Sequence, residues 1–411
     1  MQKKANLTLM AGCGINLCIG VLYTWSVFKN TLVNMGWSNT EASIPYTVTI
    51  VVLSVALLIA GRVQDKAGPR KVLMTGSVLA GSGMILSGFS LTPVNLTISF
   101  GVITGAGIGL IYACLNPTAM KWFHRSRKGF VNGLLATTFG LAAIYLAPLT
   151  GYLVENYGLS FAFNFLGYGL ILIAFPLSCF IRNPPENYEP AARGNKADDD
   201  VSSLDVPNST WREMLSSRPF VFLWLTYAFG ASAGLMIIAN ITSIAATQGG
   251  ITQGAYLIIT LSLFNSGGRL MFGLLSDKIG SMRTLAIALL LQMGNMLLFC
   301  QFITPSTLLV GAAVAGLGYG ALLAVFPSVT AELYGLKHYG VNYGVLYTAW
   351  GVGGFIGPVL AASSVDYTGS YLLAYLVSAL LVGCATLFTF RVQAITTNTI
   401  NWQPLSTSVE S

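Results

Sequence analysis

The sequence predicts an all-α polytopic membrane protein with twelve transmembrane helices arranged as two six-helix pseudo-repeat bundles. Three observations predict it. Charged residues make up 9% of the 411 positions and hydrophobic ones 54%, where soluble domains carry about a quarter charged. Apolar stretches of membrane length recur along the whole chain. The two halves repeat each other at a nearly constant offset. A chain this poor in charge does not stay dispersed in water, but it suits lipid.

The first apolar stretch, 7–28, is too long for a cleavable signal peptide and no small-residue cleavage site follows it. The second, 44–61, closes on Gly61-Arg-Val-Gln-Asp65-Lys66-Ala-Gly68-Pro-Arg70-Lys71, and the third is 72–92. The fourth, 96–119, carries Gly105, Gly107 and Gly109; the fifth and sixth are 130–153 and 161–181. Residues 182–218, with Pro184-Pro185 and the acid run Asp198–Asp200, hold too few apolar residues for a core and read as a linker. After it come 219–244 and 254–275, the latter closed by Gly273-Leu-Leu-Ser-Asp277-Lys278-Ile-Gly280-Ser-Met-Arg283. The ninth to twelfth stretches are 284–304, 307–331 with Gly316, Gly318 and Gly320, 341–363 and 369–391. The expected division is therefore a bundle over 1–181, a linker over 182–218, a bundle over 219–391 and a tail over 392–411. The loop glycines lie 273 − 61 = 212 residues apart, and the glycine runs 211.

Lysine and arginine set the orientation. With Met1 inside, nineteen fall on inside segments and one, Lys29, outside, with Arg269 set apart; both termini are then cytoplasmic. The net charge of +7 is accordingly a topology signal, and nucleic acid is excluded as a partner. All six cysteines fall in apolar stretches without metal-ligand spacing, so they read as small buried groups; neither metal nor cofactor is expected. Nucleophile, base and acid never converge, which argues against an enzyme, and a channel would need no twofold repeat.

Arg269 is the one formal charge expected deep in an apolar stretch, in Leu-Ser-Leu-Phe-Asn-Ser-Gly-Gly-Arg-Leu-Met-Phe-Gly. A cation at bilayer depth costs roughly 2.5–3.5 kcal/mol on the lenient scale. No Asp or Glu lies at similar depth, so its partner comes from outside, and an anionic substrate is the simplest one. Two other readings stay open: an arginine snorkelling to the inner face, or one bracing the Asp277 loop. Asn265, one turn earlier on the same face, either orients Arg269, donates to the substrate or bonds a neighbouring helix.

The repeated G-x-x-x-D-K-x-G-x-[KR]-[KR] loop, looser in the second copy where Met282 replaces a basic residue, resembles the signature of the major facilitator superfamily. The resemblance implies the major facilitator fold, with the first, fourth, seventh and tenth helices lining a cavity, and alternating access with Asp65, Arg70, Asp277 and Lys278 as gating or structural loop residues. Gly20-Val-Leu-Tyr23-Thr-Trp25-Ser, Asn116-Pro-Thr-Ala-Met-Lys121-Trp122-Phe123, Asn265-x-x-x-Arg269 and Asn342-Tyr-Gly-Val-Leu-Tyr347 are similar to the oxalate/formate antiporter family and its monocarboxylate-transporter relatives. That resemblance implies that Arg269 binds a carboxylate through its planar fork. The antiporter family uses a second cation, a lysine in the eleventh helix; here the stretch Val345–Gly354 has none, and Trp350 or its neighbour stands there. One cation matches one carboxylate, which favours a monocarboxylate such as lactate, pyruvate or formate over oxalate.

Tyr23, Tyr112 and Tyr347 offer hydroxyls to such a pocket, and Asn116, Tyr319, Phe326 and Trp350 further polar or packing contacts, although each by itself also fits helix packing. Tyr23 and Tyr112 align with cavity residues of the resembling family. Leu134 and Leu135 could wall off a methyl group. Lys29 either snorkels at the outer face or serves as a proton-coupling group or outer anion site. The resemblance favours proton symport with a small organic monoanion; exchange of one anion for another is the alternative. The expected setting is a lipid bilayer, as a multi-pass cell-membrane protein of the bacterial inner membrane, acting as a monomer.

Overall fold

The computed structural model describes residues 1–123, 125–185, 188, 208–251, 254–335 and 338–400, without the side chains of 61–62, 65–66, 125–130, 132 and 396–400. Among these residues twelve helices are long and apolar enough to cross a membrane. In chain order they are α1 (Gln2–Asn34), α2 (Asn39–Ala67), α3 (Pro69–Phe89), α4 (Pro93–Met120), α5 (Arg125–Leu141 continuing as Ala143–Tyr157), α6 (Leu159–Ser178), α7 (Arg218–Gly249), α8 (Ala255–Ile279), α9 (Ser281–Phe299), α10 (Pro305–Tyr334), α11 (Tyr339–Thr368) and α12 (Leu372–Ile400).

Most helices run several residues past the apolar stretches that announce them. Hydropathy marks only the hydrocarbon slab, about 20 residues thick, whereas a helix goes on until a cap stops it. Ser38 starts α2, taking the Glu41 N–H at 3.1 Å while the Glu41 carboxylate takes the Ser38 N–H at 3.0 Å. Gly68 ends it at φ +78°, and Pro69 opens α3 at once. The extension matters most in α1, where Lys29 falls inside the helix rather than at its edge. The expected linker lies mostly outside the described residues. Part of the expected tail is helical, since α12 reaches Ile400.

The pseudo-repeat is built into the turns. Gly68 and Gly280, 280 − 68 = 212 apart, both hold positive φ, as do Gly158 and Gly369, 369 − 158 = 211 apart. These are positions where a Cβ would clash with the backbone. The glycine runs repeat as well. A Cβ on Gly105 would lie 2.9 Å from the Thr49 carbonyl of α2, and one on Gly107 2.3 Å from the Ala80 nitrogen of α3. Their counterparts Gly316 and Gly318 face Leu261 of α8 at 2.3 Å and Gln292 of α9 at 3.0 Å. At Gly105, Gly107 and Gly316 backbone thus meets backbone, the packing that helices use where lipid supplies no hydrophobic drive, while Gly318 makes room for the Gln292 side chain.

The two bundles meet along α2 and α11, again on glycine. A Cβ on Gly351 would sit 2.0 Å from the Ser54 hydroxyl, and one on Gly354 2.1 Å from the Ile50 side chain. At the end of the bundles remote from Met1, Asp366 of α11 takes the N–H groups of Asn39 and Thr40 at 2.9 and 2.8 Å. It caps α2 from the opposite bundle, where the helix dipole favours a negative charge.

Candidate substrate chamber

Two local breaks open the centre of the molecule. α1 tightens into a 3-10 turn over Gly20–Thr24, and α5 is interrupted at Ala142. The two meet there: a Cβ on Gly20 would lie 2.2 Å from the Ala142 Cβ and 2.8 Å from the Phe139 carbonyl. The break leaves Tyr23 and Phe139 facing inward, ring centres 5.6 Å apart.

Arg269 arrives from α8. Gly320 of α10 leaves room for the Asn265 carbonyl, 2.2 Å from where a Cβ would stand, which draws the Asn265–Arg269 turn toward the centre. Arg269 as a whole is 6% exposed. Its Nη1 donates to the Ala136 carbonyl of α5, its Nε to Asn265 Oδ1 at 3.4 Å and its Nη2 to the Tyr23 hydroxyl at 3.4 Å. The Asn265 amide also donates to the Tyr23 hydroxyl, at 3.0 Å. These partners are a carbonyl, an amide and a phenol, none of them an anion. Three of the five guanidinium N–H groups are used, which leaves one on each terminal nitrogen. Arg269 therefore neither snorkels nor reaches the Asp277 loop.

Around it lie two small adjoining compartments. Tyr23, Tyr112, Tyr319, Tyr347, Trp350 and Arg269 line the first, with Phe139, Leu53 and Leu323 completing the wall. Trp350 donates to the Tyr319 hydroxyl at 2.7 Å and stacks on Tyr347 with centres 5.0 Å apart. The second compartment shares Tyr23, Phe139, Tyr319 and Trp350 and is otherwise formed by Leu22, Tyr46, Ile50, Leu235 and Ile238. The room for a water centre is ≈ 10 and ≈ 20 Å³ respectively, and a single water takes roughly 10–15 Å³. The chamber is drawn tight.

Not every expected residue joins it. Phe326 is buried behind the wall, stacked on Tyr227 with centres 3.9 Å apart. Asn116, one turn beyond Tyr112, is half-buried and outside both linings, and Leu135 is buried against α1, its carbonyl taking the Asn16 amide. Arg70 is half-buried in the first turn of α3, and Asp277 and Lys278 are exposed. Hydrogen bonds at that second loop run from Ser276 to Ser281 at 2.8 Å and from Ser281 to Glu332 at 2.5 Å. The Asp65 side chain lies outside the description. Phe139, Leu53, Leu323 and Tyr46 were not foreseen, because an apolar or aromatic residue in an apolar helix reads as packing. The repeat itself holds a signal for two of them. Phe139 corresponds to Trp350 and Tyr112 to Leu323, each 211 apart, and all four line the chamber.

Lys29 differs most from expectation. It is fully buried and donates to Asn240 Oδ1 of α7, whose amide is anchored on the Met236 carbonyl at 2.7 Å. Nearby, Thr242 donates to the Ser26 carbonyl at 2.5 Å. Lys29 thus does not snorkel: it ties α1 to α7 across the two bundles, and it lines neither compartment.

Twelve spanning helices in two repeated bundles, closed over a central chamber with one cation in its wall, define a polytopic membrane carrier. The chain belongs to the Major Facilitator Superfamily, whose family description matches residues 7–294. It is 26% identical over 358 residues to the uncharacterized MFS-type transporter YhjX of Escherichia coli (strain K12), covering 86% of each chain. It is 26% identical over 371 residues to the oxalate:formate antiporter of Oxalobacter formigenes, covering 88% of this chain and 84% of that one. With monocarboxylate transporter 12 of Rattus norvegicus the identity is 25% over 403 residues, 90% of this chain and 81% of the other. In fold it resembles a bacterial homolog of the human lysosomal transporter Spinster, solved inward-facing and unoccupied. The TM-score is 0.71 at 14% identity, over 98% of this chain and 100% of that one.

Proposed function

We propose that the protein is a secondary active transporter of a small monocarboxylate, of the lactate, pyruvate or formate class, working by alternating access with Arg269 pairing the carboxylate. The observation that carries this reading is a buried guanidinium whose partners are all neutral. A carboxylate replacing the Ala136 carbonyl would convert a neutral contact into a charge-assisted, two-toothed one. A single cation balances a single carboxylate, whereas a dianion would bring an uncompensated charge into the chamber. Tyr23, Tyr112, Tyr319, Tyr347 and Trp350 would orient the substrate, and Asn265 would hold the arginine.

Symport with a proton is the preferred cycle, with Lys29 the buried titratable group it would use. Exchange of the oxalate:formate type is the second reading. What favours it is that Arg269 of one bundle is tied to Ala136 and Tyr23 of the other, a link whose loss on turnover a bound anion would offset. We assign both termini to the cytoplasmic face of a bacterial inner membrane, from the nineteen-to-one distribution of lysine and arginine, and give Asp65, Arg70, Asp277 and Lys278 a gating role there. Uptake of labelled L-lactate, pyruvate and formate into proteoliposomes, with and without an inward proton gradient and with oxalate as competitor, tests the whole reading. Uptake driven by the gradient and lost in Arg269→Ala is the expected result. Uptake that needs internal anion and ignores the gradient would establish exchange, and flux undiminished in Arg269→Ala would refute the site.

A further inference from the structure

We infer that the short segment before α7 is a lipid-binding foot. Trp211 and Leu215 sit in the bilayer interface, and Arg212, Arg218 and Arg391 hold the headgroup of an anionic phospholipid. Such a contact is independent of what the central chamber carries.

Just before α7, Trp211–Ser216 forms a helix of six residues. A helix this short does not hold itself in water; this one is fastened to the ends of α10 and α11. The Ser209 N–H donates to the Tyr334 carbonyl at 3.1 Å, and the Asn342 amide donates to the Ser209 carbonyl at 2.9 Å. The Ser217 and Tyr334 hydroxyls meet at 3.2 Å, and Met214 is fully buried. Asn342, which lines neither compartment of the chamber, finds its use here. The other face of the helix is left outward. Trp211 and Leu215, one turn apart, are 37% and 41% exposed, and the Arg212 guanidinium lies over the Trp211 ring, 5.2 Å from its centre. Glu213, the acid of this helix, turns back on its start, where its carboxylate takes the Thr210 N–H at 2.7 Å. Two more arginines come to the same corner. Phe222 of α7 meets Phe388 of α12 with ring centres 5.5 Å apart. Arg218 lies four residues before the first and Arg391 three after the second, each about one turn nearer the end of the bundle that carries Met1. All three arginines are exposed, and the exposed Val221 and Phe390 continue the apolar surface onto the spanning helices. Whatever covers this corner has to be apolar beneath and anionic at its surface, and a negatively charged phospholipid is both.

The test places the full-length protein in nanodiscs of phosphatidylcholine with a fixed minor share of phosphatidylglycerol. Bromine, which quenches tryptophan, is carried in the upper acyl chain by the phosphatidylglycerol in one set of discs and by an equal share of the phosphatidylcholine in the other. The signal of Trp211 is the fluorescence of wild type less that of Trp211→Phe. Brominated phosphatidylglycerol should quench it at least about twofold more than brominated phosphatidylcholine. High salt should shrink the difference, and Arg212→Gln, Arg218→Gln and Arg391→Gln together should abolish it. The salt series decides the role of charge even if the triple variant fails to assemble. Equal quenching by the two lipids would leave Trp211 in the membrane but overturn the headgroup site. A preference that survives both salt and the triple variant would overturn the part given to the arginines. No quenching by either lipid would mean that the segment stands off the bilayer, and would overturn the foot altogether.

Discussion

Arg269 keeps its charge in the membrane by borrowing neutral dipoles, and the two supplied by side chains, Asn265 and Tyr23, can be removed. Charge-assisted hydrogen bonds contribute about 1.5–3 kcal/mol each, so Arg269→Lys, which keeps the charge but loses the fork, should weaken uptake at least tenfold through KM. Tyr23→Phe removes the hydroxyl that receives both Arg269 and Asn265. A rise in KM of about fivefold is expected, with little change in expression, and steady-state uptake in proteoliposomes checks both variants. Asn240→Leu leaves Lys29 buried without the acceptor it now has. That should cost about 1–3 kcal/mol or more and lower the unfolding temperature in scanning fluorimetry, while Lys29→Met combined with Asn240→Leu should recover much of the loss. Arg269 was legible in the sequence because a charge in an apolar run has few explanations. Lys29 was legible as a residue but not in its role: the apolar run stops near residue 28 while α1 continues to Asn34, and only the fold says which helix faces its ammonium group. Phe139 carried no polar signal and was legible only through its repeat partner Trp350.

At the scale of elements, the glycine runs decide where the chemistry sits. Gly320 is what lets α8 press its Asn265–Arg269 turn inward. In Gly320→Val the new side chain meets backbone rather than a movable side-chain end. An overpacking cost of about 1–3 kcal/mol is expected, with loss of carboxylate affinity exceeding the loss of stability; thermal unfolding measured beside binding separates the two. Gly267 has no neighbouring atom within 4 Å of its Cβ position, so Gly267→Ala on the same helix should be tolerated and serves as the control. Helix existence and order were readable from hydropathy. Helix ends were not, because they depend on caps such as Ser38 with Glu41 and on the positive φ of Gly68 and Gly280. The 3-10 turn at Gly20–Thr24 was unreadable too, since the contact with Ala142 that it accommodates is made by residues over a hundred positions away.

At the scale of the molecule, two bundles are held together at one end by Lys29 with Asn240, Thr242 with Ser26, and Asp366 with the start of α2. If these contacts open and close in each cycle, cross-linking Asn39→Cys to Asp366→Cys in a cysteine-free background should stop uptake, and a reductant should restore it. Uptake unaffected by a quantitative cross-link would mean that this end stays shut throughout transport. The seam between α2 and α11 has a further consequence. Where the Ser54 and Ile50 side chains enter the gaps at Gly351 and Gly354, α2 supplies the pegs and α11 the slots. A pegged seam cannot slide lengthwise without lifting its pegs, so the two halves keep a common register along these helices.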